Sequence, residues 1–275
     1  MHLARRGARI SLFTCLSITS VAAYADDTST QNQSPKNWAD EGWHVVVGGG
    51  AADIPKYPGS SSRRSVVVPV VSATYGRYFL GGVPGSGSPA GLGFYMHQDS
   101  HWRLGMSFAY DFVQPRKASD DARLRGLGDI KRTAHATAFA SYTAGWLTVR
   151  GNVASDIAGN HQGTTASLDL EGKYRVTDKL TLQAGPGVTW ANSQYNQTFF
   201  GVDATQSLHS GYAIYTPKSG IQSLRFSVGA DYRISDRWSA GVRATAAQLQ
   251  GDAADSPIVE KKMQNIYSVY TFYRF

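Results

Sequence analysis

Cysteine is all but missing. The one thiol, Cys15, lies near the N-terminus, so the rest of the chain can form neither disulfides nor thiolate metal sites, which excludes Cys-based zinc folds and disulfide scaffolds. After Ala25 no apolar run approaches the roughly 20 residues that a membrane-spanning helix requires, which excludes a helical membrane protein. Charged residues are only 17% of the chain. Three of the charges behind the net +7 are Arg5, Arg6 and Arg9, and the mild excess left beyond them is too small to point to nucleic acid. Catalytic signatures are also lacking: there is no Gly-x-Ser-x-Gly elbow and no His-Glu pair at metal spacing. Gly48-Gly-Gly50 follows a Val-rich stretch but lacks the Lys-Ser/Thr that grips phosphate.

What is present begins with an address. The basic stretch to Arg9, the apolar Ile10 to Val21 and Ala23-Tyr24-Ala25 before Asp26 form a signal peptide with an A-x-A cleavage site. Residues 1–25 are therefore predicted to be removed on export through the Sec route. Residues 26–41 are read as a periplasmic segment and 42–275 as one domain.

That domain alternates. Trp102, Leu104, Met106, Phe108, Tyr110 and Phe112 interleave with Arg103, Gly105, Ser107, Ala109 and Asp111. Leu224, Phe226, Val228, Ala230 and Tyr232 do the same with Arg225, Ser227, Gly229, Asp231 and Arg233. A period of two over about ten residues suits a strand that spans a bilayer. About twelve such strands are predicted, near 42–51, 65–75, 78–84, 90–97, 102–112, 128–142, 146–156, 163–176, 180–191, 223–234, 238–249 and 266–275. Every second connection is a short turn; the others are mostly long and polar, with the Gly/Pro/Ser stretch 84–89 a short exception. The class predicted is all-β: a transmembrane antiparallel barrel of the outer membrane in a Gram-negative bacterium, with short periplasmic turns and longer external loops. Tyr75, Tyr78, Trp102, Tyr142, Trp146, Tyr174, Tyr232, Trp238 and Tyr273 flank the short turns or the C-terminus, as an interfacial aromatic belt requires. Pro69 and Pro186 fall inside proposed strands, where each removes a ladder donor, so either bulges or shifted boundaries are expected there. The last ten residues, Ile266 to Phe275, put Tyr273 and Phe275 on one face at the chain end, a pattern read as a C-terminal signal for the barrel-insertion machinery.

Tyr57-Pro-Gly-Ser60, Leu124-Arg-Gly-Leu-Gly-Asp-Ile130, Gly185-Pro-Gly-Val-Thr-Trp-Ala191, Thr198-Phe-Phe-Gly-Val202, Leu249-Gln-Gly-Asp-Ala-Ala-Asp-Ser-Pro-Ile-Val259 and the Tyr273-Arg-Phe275 ending resemble the MipA/OmpV family of outer-membrane proteins, in order and over about Trp43 to Phe275. The resemblance implies an outer-membrane barrel. It also implies a scaffold that joins a murein-degrading lytic transglycosylase, MltA, to a penicillin-binding synthase; other family members are porin-like surface proteins.

The face predicted to look into the lumen collects Arg103, Lys131, Arg150, Lys173, Arg175, Arg225, Arg233, Arg243 and Arg274 against Asp111, Asp129, Asp156, Asp169, Glu171 and Asp231. Such a set either lines a narrow anion-favouring pore or pairs off inside an occluded lumen. No enzyme activity, cofactor or metal is expected, and the partners expected are membrane lipids and envelope proteins. The candidates weighed for chemistry are His135 in the lumen, His209 beside Ser207 and Ser210 in an external loop, His97 with His101 at a periplasmic turn, and Asp252, Asp255 and Glu260 as a calcium loop. Three functions remain open: a scaffold for murein enzymes, a small-solute channel and an outer-leaflet lipid hydrolase.

Overall fold

The computed structural model describes residues 42–275 except 85 and 87; the proposed cleavage residues Ala23, Ala25 and Asp26 and the segment 26–41 lie outside the described residues. Twelve strands close into an antiparallel barrel in sequence order: β1 Trp43–Pro55, β2 Arg63–Tyr75, β3 Tyr78–Gly81, β4 Gly91–Gln98, β5 Trp102–Tyr110, β6 Ala134–Ala144, β7 Leu147–Asp156, β8 Thr164–Arg175, β9 Leu180–Ala191, β10 Gly220–Arg233, β11 Trp238–Leu249 and β12 Met263–Arg274. Closure runs through β1 and β12, with Val46 opposite Arg274 and Asp53 opposite Tyr267. The first residue of β1 and the last of β12 both lie at the end that carries the short turns.

The period of two decides which side chains face out. Leu224, Phe226 and Val228 on β10 are exposed, as are Val242 on β11 and Tyr267 and Val269 on β12, while their neighbours point inward. A molecule that leaves such rows uncovered has hydrocarbon as its natural solvent. At the short-turn end aromatic rings meet in cross-strand pairs, the first two tilted and the third edge to face: Trp43 with Tyr75, Trp102 with Tyr142, and Trp238 with Tyr273, at centroid separations of 5.1, 4.7 and 5.2 Å.

Three departures from the sequence reading have physical causes. The sixth strand begins at Ala134 rather than near 128, because Ile130 forms an isolated bridge with Arg116 inside the long loop, and Asp129 there accepts from the Ala118 amide. Lys131 and Asp129 are thus loop residues, not lumen residues. β3 stops at Gly81, and beyond it Val83, Ser86 and Ser88 are buried, with Ser88 hydrogen-bonded to Thr137 on β6. The prolines, finally, need neither a bulge nor a shifted boundary. Tyr75 and Tyr78 close a two-residue turn, so odd positions of β2 aim their backbone groups at β3; Pro69 therefore faces the side where β3 has already ended, the placement an edge proline favours. Pro186 faces Leu170, and the β8–β9 ladder skips that pair and the next, then resumes unshifted at Gly172 opposite Ala184.

Inward aromatics fill the periplasmic half. Tyr270 and Phe272 pack with Val46 and Val70. On β3, β4 and β6, Phe79, Tyr95 and Phe139 form a second cluster with centroids 4.9 to 6.0 Å apart. Gly48 is what lets β12 lie against β1 there: a Cβ at this position would run into the Thr271 carbonyl and come within 2.7 Å of the Phe272 Cα, whereas one on the outward-facing Gly49 would meet nothing nearer than 3.8 Å. Gly48→Val is accordingly expected to abolish the heat-modifiable, SDS-resistant form of the barrel on electrophoresis, and Gly49→Ala to keep it. Equal behaviour of the two variants would refute this account of the seam.

Candidate functional site

The middle of the lumen is a layered polar network whose rows follow from strand register. Asp169 on β8 and Arg225 on β10 both lie opposite Gly187 of β9. The glycine leaves the space in which the two side chains meet, with Arg225 Nη2 at 2.7 Å from each carboxylate oxygen; Arg225 also donates to Thr189. One row nearer the periplasm Glu171 takes three cations: Arg150 at 3.0 Å, Arg243 at 3.6 Å and Lys173 at 3.8 Å. Asp231 accepts from the Tyr270 hydroxyl at 2.6 Å and the Gln183 amide at 2.8 Å. Toward the external end Asp111, 2% exposed, accepts from His135 at 3.0 Å, Gln162 at 2.9 Å and the Thr133 amide at 3.0 Å. The side chains of Asp111, Arg150, Asp169, Glu171, Arg225 and Arg243 line a cavity of about 290 Å³.

The external loops fold together over that cavity. Helix α1 (Ser193–Phe200) is capped by the Asn192 side chain, α2 (Ala204–Ser210) starts in a capping box between Asp203 and Gln206, and α3 (Gly251–Ala254) follows β11. Tyr57, Leu124, Leu127, Val202 and Ile258, from four different loops, form one buried cluster; Phe200, Leu249, Ala253 and Ala254 form another. Polar cross-links fasten it: Tyr57 donates to the Ile258 carbonyl at 3.1 Å, Ser256 to Phe200 at 2.5 Å and Arg116 to Phe199 at 3.2 Å. Burial pushes the Tyr57 phenol up to about 12 and pulls the Arg116 guanidinium down to about 10, the expected directions for charge removed from water.

Residues 47–275 match the family model described as MltA-interacting protein MipA. The chain belongs to that family. Among its relatives, the MltA-interacting protein of Escherichia coli strain K12 is 28% identical over 212 residues, 76% of this chain and 81% of that one. The putative outer membrane protein YiaT of the same strain is 22% identical over 185 residues, covering 67% and 74%. A solved NanC porin overlays with a TM-score of 0.45 at 10% identity, covering 84% of this chain and 100% of that one, a likeness too loose to bear on function.

Within this MipA-family barrel, Asp111, Arg150, Asp169, Glu171, Arg225 and Arg243 line the cavity, while Lys173 and Asp231 join the same network through Glu171 and Gln183 without lining it. Arg103 sits half-buried near the periplasmic end of β5. Arg175 and Arg233 keep inward parity but are exposed, because β8 and β10 end at them; Arg233 donates to the Asp178 carbonyl across the rim. Tyr273 and Phe275 lie at the periplasmic end, their rings edge to face at 4.8 Å. At the turn of residues 99–101 the Asp99 carboxyl is held down to about 2, chiefly by the Trp102 and His101 amides and by His97, so His97 is engaged there and His101 bonds Ser100.

Ser207 and Ser210 donate to main-chain carbonyls rather than to His209, and His135 meets a carboxylate and no serine. Asp252, Asp255 and Glu260 are taken up by the Lys218 amide, Lys262 and Ser61 respectively. Gln183, Gln162 and Tyr270 were not singled out as lumen residues by sequence; inward parity alone would have found Gln183 and Tyr270, while Gln162 and the stretch from 82 to 90 carry no periodic signal.

Two outcomes are expected of this arrangement. Asp169→Asn should destabilise the barrel by about 2–4 kcal/mol, since it strands a largely buried guanidinium, and Asp169→Asn with Arg225→Gln should recover part of the loss; urea-unfolding midpoints in detergent test both. Leu124→Ala or Ile258→Ala, each removing a fully buried side chain worth about 2–5 kcal/mol, should open the loops to protease while the heat-modifiable barrel persists.

Proposed function

We propose that this barrel is a non-enzymatic outer-membrane scaffold that joins a lytic transglycosylase to a murein synthase through its periplasmic rim. The observation that carries the reading is how the interior is used. Aromatic side chains occupy the periplasmic half, ion pairs the middle, and packed loops the external mouth, which suits a body that holds partners better than one that passes solute. The name of the E. coli relative, MltA-interacting protein, supports the choice of partner. The rim offers exposed Lys179, Arg233, Arg237 and Asp178 beside a half-buried Asp99, the mixed polar character of an interface rim. The same proposal includes Sec export with loss of residues 1–25, recognition of Tyr273 and Phe275 during insertion, and a role for the lumen charges in keeping the interior shut. A small-solute channel is the second reading, favoured by the polar walls of the cavity.

Crosslinking in intact cells should capture a lytic transglycosylase on the wild-type barrel, and Lys179→Glu with Arg237→Glu should reduce the yield several-fold. Planar bilayers containing the purified protein should stay silent. Failure to capture any transglycosylase, together with stepwise conductance, would replace the scaffold by the channel.

A further inference from the structure

We propose that the external ends of β5, β6 and β7 form a docking site for a phosphorylated lipid of the outer leaflet, with its phosphate on Arg132 and Lys131 and its chains on the apolar wall below. This goes beyond the scaffold reading and does not depend on it.

Register places the groups. The Asp111 amide donates to the Thr133 carbonyl and the Ile157 amide to the Ala134 carbonyl, each at 2.9 Å. The three strands therefore stay aligned one step past their last ladder pairs, Tyr110 with Ala134 and His135 with Asp156. Asp111 and Thr133 are buried and point inward, so alternation turns Phe112 and Arg132 outward. Phe112 is 72% exposed and Ile157 55%, and both Lys131 and Arg132 are exposed.

Depth comes second. Trp102 and Tyr142 meet at the other end of the same two strands, in the periplasmic aromatic belt. Phe112 and Arg132 each lie about ten residues further along. At about 3.3 Å per residue and a tilt near 40° the rise is about 25 Å, the height of the apolar band of an outer-membrane barrel. Arg132 thus stands at the level of the external headgroups, with Tyr110 and Phe108 exposed to hydrocarbon beneath it.

Third, the two cations are unanswered. The Lys131 and Arg132 carbonyls accept from the Gln162 and Asn160 side-chain amides at 2.7 and 2.8 Å, which fixes the main chain. Among the described residues neither cationic side chain has a carboxylate or another hydrogen-bond partner. The carboxylates closest in the three strands and their loops are engaged elsewhere: Asp111 with His135 and Gln162, Asp156 with Thr133 and the Gln162 amide, and Asp129 with the Ala118 amide. The outward Arg63 on β2 differs, being closed by Asp53 at 2.6 Å with its guanidinium 5.5 Å from the Tyr267 ring centre. A lipid phosphate brings about one to two negative charges and several acceptor oxygens, which suit two adjacent cations.

The probe is diphosphoryl lipid A, mixed with the full barrel in detergent and counted by native mass spectrometry, beside a lipid A stripped of both phosphates. One diphosphoryl lipid per barrel is expected, with the stripped form bound about twentyfold more weakly, and millimolar inorganic phosphate should not displace it. Lys131→Ala with Arg132→Ala should weaken binding about twentyfold, near fivefold for each cation. Arg125→Ala, which removes an exposed charge from the cap, should leave it unchanged. Each variant is first shown to keep its heat-modifiable form; if the double variant fails that check, Arg132→Gln alone takes its place, with a loss of about fivefold expected. Absence of bound lipid, or equal binding of the stripped form, overturns the proposal. Displacement by inorganic phosphate overturns the lipid in favour of a free anion. Unchanged affinity in the folded variant, or an equal loss in Arg125→Ala, overturns the location. Capture of a transglycosylase does not enter any of these outcomes.

Discussion

Everything in this molecule depends on the rule that a backbone in hydrocarbon must bond to itself. Water is unavailable to answer an amide or a carbonyl there, so twelve strands that alternate apolar and polar side chains have one solution: close the sheet and turn the apolar rows outward. Closure requires β1 to receive β12 along its length, and an inward Gly48 in contact with the Phe272 backbone permits that approach. The seam toward β3 shows the same rule at its margin. Where β3 ends, Pro69 stands with no amide hydrogen to leave unanswered.

Closing the sheet creates an interior that must then be filled. Near the periplasm this chain uses aromatic rings, at the centre it uses charge. Arg225 and Asp169 meet above Gly187, and Glu171 is shared among three cations. Such pairs are worth little for stability when compared with apolar packing, and much for fixing one arrangement, because breaking one partner strands the other. At the external mouth a small apolar core, tied by carbonyl-directed hydrogen bonds from Tyr57 and Ser256, makes a lid of loops that are far apart in sequence.

Much of this was legible in the residues. The strand count, the parity of short and long connections, the outward rows and the ring pairs at the periplasmic rim all follow from a period of two, which sequence displays directly. The lumen charges were legible for the same reason, since Asp169, Glu171 and Arg225 oppose Leu168, Leu170 and Leu224 by parity alone. What stayed hidden has no period. Pro84 and Ser88 reach into the barrel through contacts with Asn152 and Thr137, which nothing local announces, and residues 128–133 look strand-like until the Arg116–Ile130 bridge takes them. The segments that carried the family resemblance, among them Tyr57 to Ser60, Leu124 to Ile130, Thr198 to Val202 and Leu249 to Val259, were legible only as words. In the fold most of them meet: Tyr57, Leu124, Val202 and Ile258 are one cluster.

The central claim is the orientation of the rows, and the lack of cysteine beyond Cys15 makes it directly measurable. Single cysteines placed in turn from Leu224 to Tyr232 of β10, each carrying a nitroxide, should show collision rates with oxygen dissolved in the bilayer that are high at Leu224, Phe226 and Val228 and low at Arg225, Ser227 and Gly229. Inverted phase, or no alternation along the strand, would contradict the account at its root.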